Sequence, residues 1–455
     1  MTSQVINTPV GIPAELNWSL PSSMVPSRKF ELRVSPFGQS TFTQSGQSIK
    51  ITLPQMQRTL YNFQTGYLMA TISFTAGAAA GTDVNYLLGS WYSLFNRQVV
   101  RATSGYVLET IENPGLLVNA ITSMTMGASE KVALNNSFGF SNLSGYNNLG
   151  VKINTVTTAS DIGGTTGSER NFSFALPLIG VLNNSKLFPA FVGDLEIELT
   201  LADINRFLLP IAGNVMTGFT ISNVEYVVEC LELSPESFNM IMAQNPERVV
   251  IKSQTYSYGA AALPGGTVGT VDIPFQIKLN SLKQLIWYSQ PTDAAEKQFA
   301  GVNPNLENYA MIINGISWPQ RPVQAKYPSE AFMQNQKSFG SVYSASHSGC
   351  GTRTEFNTAS TVTYSPYYRP YNTTTTAGAL EGGRANKWYQ CIDFETINSN
   401  KESLYNGVST NGTTCTLRLN VGSALANVTH NIHYFSCQDA MITIDLATNI
   451  INVII

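Results

Sequence analysis

The chain offers few residues from which a reaction could be built. It has three histidines, His347, His430 and His433. The last two are spaced H-x-x-H, which on a helix could chelate a metal. Their surroundings read as a strand or strand entry, where positions three apart point to opposite faces. Paired carboxylates across a cleft would suit glycoside hydrolysis. Glu196 and Glu198, and likewise Glu225 and Glu229, share a face of an alternating segment. Each pair sits opposite an apolar row, which reads as a solvated or interface-facing strand surface. The sequence has no G-x-S-x-G elbow, phosphate-binding P-loop or dinucleotide fingerprint. We therefore assign no catalytic, cofactor-binding or metal residue, expect no cofactor, and do not expect an enzyme.

Five cysteines, Cys230, Cys350, Cys391, Cys415 and Cys437, form no C-x-x-C pair. They are expected as free thiols in a reducing compartment. Met1 to Asn17 lacks a basic patch followed by an apolar stretch, so no secretory leader is expected. The sequons at Asn142, Asn171, Asn372, Asn411 and Asn427 then carry no weight. Tyr364, Tyr367, Tyr368 and Tyr371 crowd one loop; they could form a sugar platform, but rigid amphipathic rings suit protein interfaces at least as well.

The 455 residues carry 26 Lys+Arg and 29 Asp+Glu, so only 12% are charged and the formal net charge is −3. Typical domains have about 25% charged residues. Here Ser, Thr, Asn, Gln and Gly take their place. No basic cluster marks a nucleic-acid footprint, and direct sequence-specific nucleic-acid binding is not expected. No apolar run approaches the roughly 20 residues of a membrane-spanning helix.

Period-two alternation dominates the chain, as strands with one buried face require. Ile49, Ile51 and Leu53 alternate with polar neighbours, as do Leu68 to Phe74, Leu195 to Leu201, and Phe275, Ile277 and Leu279. Asn113-Pro114 predicts the start of a short helix, with Leu117, Ala120, Ile121 and Met124 on one face, decorating a loop. Two long polar stretches, Ser141 to Glu169 and Ser344 to Ala385, interrupt the strands.

The two halves end alike. Leu195 to Leu201 and then Val224 to Leu233 precede Ser234-Pro235; Cys415 to Val421 and then Ala440 to Ile444 recur some 215 to 220 residues later. The pattern predicts two sandwiches of one type in tandem, with a boundary near Gln244 to Arg248.

Particular segments resemble the double jelly-roll major capsid proteins of icosahedral double-stranded DNA viruses, in the polinton-like virus, adintovirus and virophage branch. They are Ser93 to Val99, Gly105 to Ile111 (GYVLETI) and Leu116 to Ile121, then Phe174 to Pro189 (FALPLIGVLNNSKLFP), Leu195 to Leu201 and Glu232 to Glu236 (ELSPE). In the second half they are Ile312 to Pro322 (IINGISWPQRP), Glu330 to Phe332, Phe394 to Val421 with Ser403 to Gly407 (SLYNG), and Asp439 to Leu446 (DAMITIDL). Trp318 departs from the tyrosine commoner in such segments. The resemblance runs in order from about residue 90 to the C-terminus.

The resemblance implies an all-β chain of two eight-stranded jelly-roll sandwiches with short helices in loops: an N-terminal arm at 1–45, a first roll at 46–245 and a second at 246–455. It implies a structural subunit that forms homotrimers with a pseudo-hexameric outline. These would meet neighbouring capsomers, penton and minor capsid proteins in a virion shell assembled inside the host cell. Contact with an internal membrane stays open. Both long polar insertions are expected at an outward tower or at subunit contacts. The alternatives are a minor capsid or spike-base protein and a carbohydrate-binding or carbohydrate-cleaving β-sandwich.

Overall fold

A computed structural model describes residues 27–76, 84–102, 105–126, 128–140, 149–154, 171–211, 216–245, 247–292, 301, 303–326, 328–339, 388–395, 406–422, 429–446, 448 and 450–454. The first half runs β1 (Ser27–Val34), β2 (Thr41–Phe42), β3 (Ser48–Leu53), β4 (Thr59–Ala76), β5 (Val84–Leu88), β6 (Phe95–Ala102), β7 (Val107–Glu112), α1 (Pro114–Thr125), α2 (Ala128–Ala133), α3 (Asn135–Phe138), β8 (Leu149–Asn154), β9 (Asn171–Leu176), β10 (Phe188–Pro189), β11 (Leu195–Leu201), α4 (Ile204–Phe207), β12 (Leu208–Ile211), β13 (Met216–Leu233) and α5 (Pro235–Gln244). The second runs β14 (Arg248–Leu263), β15 (Gly269–Phe275), β16 (Leu282–Pro291), β17 (Leu306–Ile313), β18 (Ile316–Gln324), α6 (Pro328–Ser338), β19 (Gln390–Asp393), β20 (Cys415–Val421), β21 (His430–Asp445) and β22 (Ile450–Ile454).

Each half is built on two facing antiparallel sheets with the same nested order, and the first half adds a small third sheet, β12-β5-β8. In the second half the sheets are β14-β21-β16-β19 and β15-β20-β17-β18. The first strand of the unit pairs with the eighth and the second with the seventh, which is the jelly-roll winding, and β22 adds to the eighth. The first half repeats it with β1-β13-β4 joined by β9 and β10, facing β3-β11-β6-β7. The tandem organisation read from the matching ends of the halves is borne out: β11 and β20 occupy the same place in their sheets, and so do β13 and β21.

Alternation explains the packing. In β3 and β11 every second side chain is buried, and Ile49, Ile51, Leu53, Leu195, Ile197 and Leu199 share the core with Phe42, Trp91 and Tyr226. Each such side chain contributes about 1.5–3 kcal/mol when buried. In the second roll Trp287 meets Tyr309 and Trp388 edge-on, both with centroids 5.1 Å away. The β17–β18 hairpin turns on Asn314-Gly315, both at positive φ, as a tight two-residue hairpin loop demands. Pro319 and Pro322 sit in β18, the outermost strand of its sheet, where a missing donor deters further pairing.

Four expectations need correction. Residues 27–34 are no arm: β1 pairs along its whole length with β13, from Ser27–Leu233 to Val34–Tyr226. The Phe275–Leu279 strand stops at Phe275, although Ile277 and Leu279 remain buried beyond the ladder. The insertion Ser141 to Glu169 contains a strand, β8, paired with β5; its remainder, all of Ser344 to Ala385, and residues 1–26 lie outside the described residues. The helix α1 begins at Pro114 as the sequence signalled, but it is buried on nearly every side.

Candidate functional site at the seam between the rolls

The site that the fold builds is an internal interface. All strand pairing before Gln244 stays within the first half and all pairing after Arg248 within the second, yet the hydrophobic cores interlock. β14 and β21 are 16 residues long, whereas β15 and β20 on the facing sheet have seven. The overhanging ends of β14 and β21, with β22, carry Ile251, Ile442, Ile444 and Ile451 into the core of the first roll. Along β14 the alternate side chains, Tyr256 and Tyr258, pack against the cluster that α1 shares with the second roll. Neighbouring residues of a strand point oppositely, so one face of β14 enters the first roll's core at Ile251 while Val250, Lys252, Gln254 and Tyr256 on the other line an open cleft.

The helix α1 is the wedge. Leu116, Leu117, Ala120 and Met124 join Ile111 against Ile286, Tyr288, Tyr389, Cys391 and Phe435 of the second roll. Ten of the helix's twelve residues are buried, Asn119, Thr122 and Ser123 among them, so its four-residue apolar face understated its burial. Asn119, inside this contact, donates from Nδ2 to the Tyr389 hydroxyl at 2.8 Å. From the second roll, Asn335 of α6 accepts the Cys391 amide and donates to the Tyr389 carbonyl, at 2.7 and 2.6 Å.

Two sets of ionisable groups lie in the seam. Glu109 of β7 is 2% exposed. Its Oε2 accepts the Val181 amide at 2.9 Å, and Thr255 of β14 stands beside it. Burial pushes the carboxyl up to about 7, partly offset by those hydrogen bonds. Gly180 has φ +77°, and a Cβ there would collide with the Glu109 carboxyl group, so glycine is needed for both conformation and space. Further along, Lys283 bonds Glu395 at 2.7 Å and approaches Asp439 at 3.7 Å, with Lys252 3.6 Å from the same oxygen. Asp439 also accepts the Ser281 hydroxyl and the Asn406 amide, at 2.7 and 3.1 Å. Burial pulls the Lys283 ammonium down, but its two carboxylate neighbours outweigh this and hold it above its ordinary value.

A cleft of about 850 Å3 opens beside these groups, lined by Ile121, the 179–186 turn, alternate residues of β14, Lys283, Glu395 and Asn406. Neither acid pair considered from the sequence lines it. Glu198 pairs with Arg101 on β6; Glu229 meets Lys29 at 2.6 Å and Glu225 meets Arg33 at 3.8 Å, both on β1. These are ladder ion pairs on sheet faces. His430 and His433 lie in β21 and are bonded separately, His430 to Ser289 at 2.7 Å and His433 to Tyr258 at 2.9 Å. Among the described residues no group of metal-ligating side chains converges. Cys230, Cys391, Cys415 and Cys437 are free and buried. His347, Cys350 and the Tyr364–Tyr371 cluster lie outside the described residues.

No protein-family model matches the sequence, and no curated protein does. Solved structures match over nearly the whole chain. A chain of the PBCV-1 virus capsid superposes with a TM-score of 0.58 at 9% identity, covering 96% of this chain and 98% of that one. The crystal structure of the mavirus major capsid protein gives 0.53 at 10% identity, covering 100% and 97%. The Faustovirus major capsid protein gives 0.54 at 9% identity, covering 94% and 92%. The chain has the double jelly-roll fold. Both rolls and the link between them fall within the matched span, so the double jelly roll is a property of the whole chain. Glu109, Asn119 and the Lys283–Glu395–Asp439 group were not singled out from the sequence. The one available signal was a carboxylate at the position two before Ile111 in an alternating buried row.

Proposed function

We propose that this chain is a structural major capsid subunit, forming homotrimers of pseudo-hexameric outline that tile an icosahedral virus shell, with no enzymatic role. The observation that carries this reading is the pair of equivalent rolls joined by a buried wedge. Three chains, each presenting two similar sandwiches at a fixed relation, close a threefold ring with six similar outward units. Full-length likeness to capsid chains supports the same reading. So does the scarcity of charge, since the cores of protein interfaces are depleted in Lys, Glu and Asp.

The register gives the rolls a common polarity. The helix α5 joins Leu233 to the start of β14, while the strand ends flanking the two long insertions, Glu112 with Asn171 and Gln324 with Gln390, belong to the opposite end. We assign the insertions to the outer surface or to subunit contacts. Residues 1–26 enter β1 at the α5 end, and we assign them to the shell interior or a neighbouring subunit. The units are 46–245 and 246–455 with β1 added to the first, and the partners are neighbouring capsomers, penton and minor capsid proteins. Electron microscopy of the expressed protein tests the reading: hexagonal capsomers of three chains are expected, and isolated single-chain particles under every assembly condition would refute it.

A further inference from the structure

The seam holds a titratable group for which shell building has no use. Glu109 projects from β7 into a space closed by three other elements. The Val181 amide bonds Oε2, and the carboxyl group fills the space that a Cβ on Gly180 would take. From the second roll the Thr255 hydroxyl stands beside it, while Oε1 makes no close hydrogen bond. The titratable groups facing it are the phenols of Tyr92, from the turn Trp91–Leu94, and Tyr256 of β14. No lysine, arginine or histidine among the described residues acts on it. A charge there is therefore buried without a cation, an arrangement that strongly disfavours ionisation.

We propose that Glu109 is a proton-controlled latch between the two rolls, closed when its carboxyl group is protonated and loosened when it ionises. The geometry sets what moves. The carboxyl group lies where the 179–183 turn of the first roll meets β14 of the second, and Asn184 bonds across the same line to the Lys252 carbonyl at 2.8 Å. Gly180 also lines the 850 Å3 cleft, so a small opening brings solvent to the carboxyl group. The closed carboxyl titrates near 7 and a solvated one near its ordinary 4.5. The closed seam thus binds the proton more tightly, and it loses stability as pH rises from 4.5 to 7, with no further loss above that.

Hydrogen exchange at the Val181 amide and along residues 252–256 of the full-length protein tests the latch. Each rate is divided by that of Glu109→Gln at the same pH, which cancels the intrinsic pH dependence of exchange. Between pH 5 and pH 8 this ratio should rise on the order of tens-fold. A ratio that stays constant would overturn the proposal. Should the glutamine variant fail to fold, infrared difference spectra of the wild type decide. A buried protonated-carboxyl band present at pH 6 and lost by pH 9 supports the latch, and no such band at pH 6 refutes it.

Discussion

Asn119 of the first roll and Tyr389 of the second share a buried hydrogen bond of 2.8 Å amid the apolar contacts of the wedge. Breaking one partner leaves the other's polar group buried. Tyr389→Phe should therefore cost about 1–3 kcal/mol in denaturant unfolding, and a double-mutant cycle with Asn119→Ala should show positive coupling. Additive losses would mean the bond contributes nothing.

Gly180 answers a steric demand of Glu109. Gly180→Ala places a methyl group against the carboxyl group at a backbone angle that L-residues resist, by about 1–2 kcal/mol for the angle alone. The melting temperature should fall well beyond that of an alanine at an open glycine such as Gly266, whose φ is similar but which has space around it. Equal losses would show that the carboxyl group gives way freely.

His433 opposes Glu109 in its pH response. Burial, with a smaller contribution from Arg206, lowers its imidazole to about 4. The closed state thus disfavours the proton, so stability present above pH 6.5 is lost as pH falls toward 4, by up to about 3 kcal/mol. Glu109 loses stability in the other direction over nearly the same range, so the two responses oppose each other in the wild type. Glu109→Gln should uncover an acid-sensitive protein, whereas His433→Asn should uncover one that weakens as pH rises. Parallel pH profiles for the two variants would contradict these assignments.

The described cysteines are structural. Burial raises the Cys437 thiol to about 12, and Cys391 and Cys230 are raised for the same reason. Thiolate is the reactive form. In the native protein a thiol reagent should therefore leave Cys230, Cys391, Cys415 and Cys437 unmodified, with all four reacting after denaturation. Rapid native labelling of any of them, read by mass spectrometry, would count against this burial.

Deletion of residues 1–26 separates folding from assembly. Because β1 begins at Ser27 and is fully paired, the shortened chain should fold and melt as the full one does. Under the capsid reading it should form trimers that assemble poorly. Normal shells from it would remove the role assigned to that segment.

Much of the architecture was legible because a strand with one buried face writes its burial into every second residue, as Leu195 to Leu201 does. The tandem plan followed from the same pattern recurring in Cys415 to Val421. The seam was not legible. Ile251 and Tyr256 of β14 each join a cluster that contains residues of the first roll, and nothing in their own spacing marks which roll they meet. Leu116 to Met124 gave a helix with one apolar face, but not the neighbour that surrounds it. Glu109 looked like any strand carboxylate, because its environment is set by Val181 and Thr255, distant in sequence. His430 and His433 lie three apart in β21, a spacing that reverses the side chain along a strand.

The mass of the purified chain in solution bears most directly on the idea that two rolls serve a threefold assembly. Light scattering across a concentration series should find a stable species of three 49.5 kDa chains. A monodisperse single chain that persists at the highest concentration would contradict it.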